Sequence, residues 1–162
     1  MNEIRRNLSI EDGRIGFRNF SGKEGRFNPK GKRNFCVFLE KEQGEELKAD
    51  GWNIRWLEPR NPDDPPQAYL QVAVSFDHMP PKIVLITSRN KTELTEDNIE
   101  ILDWAEIERC DLIIRPYNWS LPESGKQGVK AYIKTMYVTI AEDEFEAKYR
   151  DVPDSAAAAI DE

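Results

Sequence analysis

Apolar residues recur at every second position over much of the chain, and clusters of glycine, proline and asparagine cut that alternation into short pieces. Residues 14–20 alternate and stop at Ser21-Gly22; residues 32–39 alternate after the turn-forming Asn28-Pro29-Lys30-Gly31, so the two predict a strand pair. Residues 52–58 place Trp52, Ile54 and Trp56 on one face, and Asn53, Arg55 and Leu57 on the other. The proline-rich residues 59–66 must be a loop. After it, residues 68–76 set Leu70, Val72, Val74 and Phe76 on a core face, and residues 82–87 read as a strand buried on both faces. Two more strands, residues 111–119 and 128–140, flank a turn at residues 122–126.

Helical signals are few. Residues 42–49 are charged helix formers that stop at Asp50-Gly51, a short surface helix. Asn90-Lys91 reads as a turn, and Thr95 followed by Glu96 and Asp97 reads as an N-cap with acids in the first turn of a helix running to about Leu102. Residues 142–150 begin with acids and pair Phe145 with Tyr149 at helical spacing before Pro153 stops them. Many short strands with two or three short helices predict a mainly β domain, a barrel or sandwich with long loops.

The last strand poses a puzzle. Under strict alternation Lys130, Tyr132 and Lys134 share a face with Met136, Val138 and Ile140, so one end of that face is wet and basic and the other dry. The expectation is that the basic end lies in a binding groove and the apolar end enters the core.

Charge sharpens that expectation. The net charge of -7 over 162 residues argues at first against a nucleic-acid partner. Its distribution is uneven: up to Phe35 nine basic residues face four acidic ones, whereas after Ile140 eight acidic residues face two basic ones. A basic working surface and an acidic, disordered tail over residues 152–162 follow, behind a binding domain of residues 1–151. No apolar run approaches the ~20 residues of a spanning helix, and residues 1–6 lack a signal-peptide core, so a cytoplasmic protein is expected. Cys36 and Cys110 are isolated within apolar runs and read as buried free thiols. With them and the single His78, the usual Cys/His zinc site cannot be assembled.

Cations stand beside rings repeatedly: Arg18 with Phe20, Arg26 with Phe27 in the glycine loop, Arg55 near Trp52 and Trp56, Arg115 with Tyr117 and Trp119, and Lys130-Tyr132-Lys134, with Lys126 in the turn between the last two strands. Proteins that hold single strands combine such cations for phosphates with aromatic faces for bases. Arg115, Tyr117 and Trp119 fall on one strand face opposite Leu112 and Ile114, which with the neighbouring strand would make a platform. Two lysines alone are an ordinary solvated stripe; the tyrosine and the neighbouring strand tip the balance. Trp52, Trp56, Trp104 and Phe17 read as core, and Phe20 and Phe27, flanking the glycine loop, as exposed. A metal-dependent nuclease or phosphoesterase would need converging carboxylates. Asp63-Asp64 lie in a proline loop, Glu96-Asp97 complement a helix dipole, and Asp103 stands alone. No nucleophile motif, P-loop or cofactor motif is present, so no catalytic residue, metal or cofactor is expected. An acidic adaptor that does not bind DNA fits the pI near 4.9 but not the basic first strands.

Four stretches carry a resemblance: RIGFRNFSGKEGRFNPKGKRNFCVFL from Arg14, DGWNIRWLEPR from Asp50, YLQVAVSF with PPKIVLITS, and LIIRPYNWS with GKQGVKAYIKTMYVTI. Together, over residues 14–151, they resemble the small single-stranded-DNA-binding proteins that tailed bacteriophages encode. The resemblance implies an oligonucleotide-binding (OB) barrel followed by an acidic C-terminal tail, and protection of single-stranded DNA with little sequence preference during phage DNA replication or recombination. It also implies that the tail contacts replication or recombination proteins. Tails of that family end in acids plus a terminal aromatic; this one ends Ala159-Ile160-Asp161-Glu162.

Overall fold

The computed structural model describes Ile4 and residues 6–26, 28–77 and 79–141. Among these residues, nine strands, one α-helix and one 3-10 helix follow in the order β1 (Leu8–Ile10), β2 (Arg14–Asn19), β3 (Arg33–Leu39), α1 (Lys41–Asp50), β4 (Ile54–Leu57), β5 (Gln67–Val74), β6 (Lys82–Ile86), β7 (Lys91–Leu94), the 3-10 helix Ile99–Asp103, β8 (Ile107–Leu121) and β9 (Lys126–Ile140). They form one curled sheet in the order β1-β8-β9-β5-β3-β2. β4 borders the first half of β5, whose second half runs parallel to β9. Farther on, β9 takes β6 as a parallel neighbour, and β7 pairs outside β6.

The ladder is open between β2 and β1, and the chain itself spans the gap. In the turn from β1 to β2, Gly13 N–H donates to Cys110 O at 2.7 Å and Asp12 N–H donates to Asp111 Oδ1 at 2.8 Å. The Asp12 amide, with Arg109 beside it, holds the Asp111 carboxyl below its usual range. One bent N-terminal segment thus touches both margins of the sheet, and the result is barrel-like and mainly β, as the alternation predicts.

Inside, β3 contributes Phe35, Val37 and Leu39, β5 contributes Ala68, Leu70, Val72 and Val74, and β8 contributes Cys110, Leu112 and Ile114. Burial pushes the Cys36 thiol up to about 11 and the Cys110 thiol up to about 12, and both cysteines are free. Helix α1 ends where expected, with Gly51 at φ 114 donating its N–H to Lys48 O. No helix among the described residues is long and apolar enough to cross a membrane.

Several elements differ from the sequence reading. β1 and β7 are strands where none was expected; β7 begins at Lys91, and its turn closes earlier through Thr87 N–H to Asn90 O. The helix expected from Thr95 is only a short 3-10 helix, because Asn98 Oδ1 accepts from Thr95 N–H and ties the entry into a tight turn. The helix read at residues 142–150 and the tail at 152–162 lie outside the described residues.

The larger corrections concern strand faces. Lys130, Tyr132 and Lys134 do not share a face with Met136 and Val138. Opposite β8, Ile113 pairs with Thr135 and Ile114 with Ile133, so Lys134 is an extra residue on β9, a β-bulge. Before the bulge Val129, Ala131 and Ile133 are buried; after it Met136 and Val138 are. The wet and dry ends lie on opposite sides of the wall.

The same device acts in β2. Gly16 pairs with Cys36 and Asn19 with Asn34, three residues against two, with Phe17 at φ 47 in the left-handed region. Phe17, expected in the core, is 60% exposed, and Phe20, expected outside, is fully buried and stacked on Phe35 at 5.1 Å.

Candidate nucleic-acid interface

Two groups of rings stand on the outer face of the sheet. The first is on the β8–β9 hairpin. Antiparallel register puts Arg115 opposite Tyr132, Tyr117 opposite Lys130, Trp119 opposite Gly128 and Lys126 opposite Leu121. Residues directly opposite project to the same side, so these side chains meet. Tyr117 and Tyr132 form an edge-to-face pair at 6.1 Å. The Arg115 guanidinium lies 5.3 Å and the Lys130 ammonium 5.1 Å from the centre of the Tyr132 ring. Trp119 lies so close over Gly128 that a Cβ there would come within 2.7 Å of its ring, which only glycine permits. Tyr117 is 51% and Trp119 37% exposed. Lys126, Lys130 and Lys134 are exposed, Lys134 as the bulge residue itself.

The second group crosses four strands on one rung. Arg14 of β2 pairs with Phe38 of β3, Phe38 with Tyr69 of β5, and Tyr69 with Arg55 of β4. The bulged Phe17 leans on this rung, edge-on to Phe38 at 5.8 Å and to Tyr69 at 6.3 Å. Arg14 sits 5.8 Å from the Phe38 ring centre. Gly16 leaves room for Phe38, whose ring would lie 2.6 Å from a Cβ at that position. Of this rung only Arg55 was singled out from the sequence. Tyr69 could have been, because strict alternation with Leu70 and Val72 inward already turns it outward. Phe17 could not, since its exposure depends on the bulge.

The hairpin group continues across the sheet along one outer rung, where Arg115 pairs with Tyr132, Tyr132 with Ala73, Ala73 with Asn34 and Asn34 with Asn19. Tyr69 and Ala73 are four residues apart on β5, about 13 Å at the usual strand rise. A cleft of about 400 Å³ opens in this interval, lined among others by Lys32, Asn34, Asn53, Gln71 and Lys130. It forms where β5 exchanges β4 for β9 along one edge.

Not every predicted residue joins this surface. Arg18 donates to Leu102 O at 3.0 Å and Ala105 O at 2.7 Å, so it caps the 3-10 helix, whose free carbonyls need a donor. Phe20 is unavailable for stacking, because the β2 bulge turns it inward. Its backbone N–H and that of Ser21 donate to the Asp103 carboxylate, which gives that acid a structural task. Arg26 is exposed on the β2–β3 loop, and Phe27 lies outside the described residues. Trp52 is core and Trp56 packs against the core, but Trp104, expected in the core, is 68% exposed at the end of the 3-10 helix. Among the described residues no three His, Cys, Asp or Glu side chains are grouped to hold a metal ion.

A family model described as "Putative phage ssDNA-binding domain" matches residues 1–162. Among solved structures, the C-terminally truncated single-stranded DNA-binding protein from bacteriophage Enc34 is similar with a TM-score of 0.53 at 10% identity, covering 85% of this chain and 87% of that chain. The Enc34 protein in complex with ssDNA has a TM-score of 0.52 at 10% identity, over 90% of this chain and 96% of that chain. No curated protein matches the sequence.

Proposed function

The chain belongs to the phage single-stranded-DNA-binding domain family and binds single-stranded DNA, and we propose that the strand runs along the outer face from the Arg14–Phe38–Tyr69–Arg55 rung, past the cleft, to the β8–β9 hairpin. The observation that carries this path is the hairpin platform, where Arg115 and Lys130 lie 5.3 and 5.1 Å from one tyrosine ring. Each cation stands where a phosphate would pass when a base stacks on the neighbouring ring. Arg14, Arg55, Arg115, Lys126, Lys130 and Lys134 neutralise phosphates, and Phe17, Tyr117, Trp119 and Tyr132 offer faces or edges to bases. Arg26, exposed on the β2–β3 loop, adds a further cation to the same surface; Phe27, next to it in sequence, lies outside the described residues. Stacking accepts every base, so sequence preference along most of the path is slight.

The role of such binding is to protect single strands during phage DNA replication or recombination in the host cytoplasm. The acidic residues 152–162 compete for the basic face at low salt and offer a contact for replication or recombination proteins. Holding a strand breaks no bond, so the proposed binding calls for no catalytic cofactor.

Titration of a fluorescent dT oligonucleotide and a matched duplex at two salt concentrations tests the proposal. Salt-sensitive binding that favours the single strand is expected, together with tighter binding at low salt once Asp154–Glu162 are deleted. Salt-independent binding would refute the phosphate path, and unchanged or weaker binding after deletion would refute the competing tail.

A further inference from the structure

The cleft between the two ring groups differs in chemistry from either. Ile54 pairs with Leu70 and Val72 with Ala131, so Asn53, just before β4, and Lys130 on β9 both reach the position of Gln71, from opposite directions along the β5 edge. All three are exposed and line the cleft. Gln71 is also the outward residue midway between Tyr69 and Ala73, so a strand joining the two ring groups passes over it.

The amides here divide into tied and untied. Asn28 Nδ2 donates to Lys23 O at 2.9 Å and Lys32 O at 3.0 Å, and Asn28 Oδ1 accepts from Asn34 Nδ2 at 2.8 Å, which ties both side chains into the β2–β3 loop. The Asn53 and Gln71 amides have no hydrogen-bond partner among the described residues. Arg33, at the cleft wall, is engaged by Glu96 at 3.3 Å and by the Phe76 ring at 5.7 Å. What the cleft offers a ligand is therefore a pair of free carboxamides, each a donor beside an acceptor, with the Lys130 charge at its margin.

Resting on the single-strand reading above, we infer that the cleft is a base-reading subsite: one base of the bound strand turns edge-on into it and is hydrogen-bonded by Gln71, with Asn53 as second partner. A carboxamide matches the N6–H donor and N7 acceptor of adenine in a bidentate pair, while the Arg33 guanidinium, a possible reader of guanine, is turned to Glu96 and the Phe76 ring. The protein thus carries a preference for adenine at one position of an otherwise tolerant site.

The test uses the full chain and dT oligonucleotides of about 16 nucleotides, near the upper size of one site, in which one central thymine is replaced by adenine, cytosine or guanine. The adenine strand is expected to bind at least about fivefold tighter than all-dT, the low end of bidentate discrimination. In Gln71→Ala that ratio falls to about one, and in Asn53→Ala it falls part of the way. Thermal melting of both variants shows whether the fold is kept. Equal affinity for all four strands, a preference for guanine or cytosine, or an adenine preference that survives Gln71→Ala would each overturn the subsite while tight dT binding leaves the single-strand reading intact. Failure to bind even all-dT would overturn both.

Discussion

In the β8–β9 hairpin the rings come from two consecutive strands joined by a tight turn, whereas the Arg14–Phe38–Tyr69–Arg55 rung draws on four strands spread over the first half of the chain. Both groups hold a ring lying over a glycine, Trp119 over Gly128 and Phe38 over Gly16, but only the four-strand group owes a member to a bulge. The bulge at Lys134 follows the hairpin group along β9 and changes which later residues enter the core; the bulge at Phe17 is itself a member of the other group. A binding surface built within a hairpin is thus stated by local alternation. One built across distant strands becomes visible only when registers are known.

The sharpest way to break the comparison is to exchange the expectations for two phenylalanines three residues apart. Phe20→Ala removes a fully buried ring stacked on Phe35 and should cost about 3–5 kcal/mol of stability in chemical denaturation. Phe17→Gly should shift stability by no more than about 1 kcal/mol, because lost ring contacts are offset by relief of the left-handed backbone, while weakening DNA binding by about 1–3 kcal/mol. If Phe17→Gly unfolds the protein and Phe20→Ala does not, the β2 bulge is misplaced.

A smaller effect compares the groups directly. Tyr132→Ala in the hairpin and Tyr69→Ala in the four-strand rung should each weaken binding of a dT oligonucleotide by about 1–3 kcal/mol with the fold retained. On an oligonucleotide long enough to span both groups the losses should add, since the sites share no side-chain contact. On a short one, only one of the two variants should register. Loss at one group at every length would confine binding to that group.

The smallest effect separates charge from stacking. Lys130→Ala should flatten the dependence of log K on log salt by about 0.7, the share of one phosphate on a single strand. A parallel shift without change of slope would assign Lys130 to positioning Tyr132, from whose ring centre its ammonium lies 5.1 Å.

Much was legible in the sequence alone. The inward sets Leu70-Val72-Val74 and Leu112-Ile114 were readable because period-2 alternation is local and each strand carries its own copy of it. Helix α1 was readable because Gly51 marks its end. The outward set Arg115-Tyr117-Trp119 was readable for the same local reason, and the turn that follows brings its partners Lys130 and Tyr132 back beside it. Arg18 and Phe20 were misread because the residue that breaks alternation is chosen by the partner strand: β3 advances two residues while β2 must advance three.

Alternation within the sequence thus marks most of the strands, though not β1 or β7, and shows that cations and rings share the β8–β9 face. Only the tertiary structure decided that Phe17 faces out and Phe20 in, that Lys134 divides β9 into halves with opposite faces, and that Phe38, Tyr69 and Arg55 form one rung. The physical reason is that alternation is a property of a single strand, whereas bulges and rungs belong to pairs of strands. A curled sheet places its bulges where neighbouring strands must bend by different amounts.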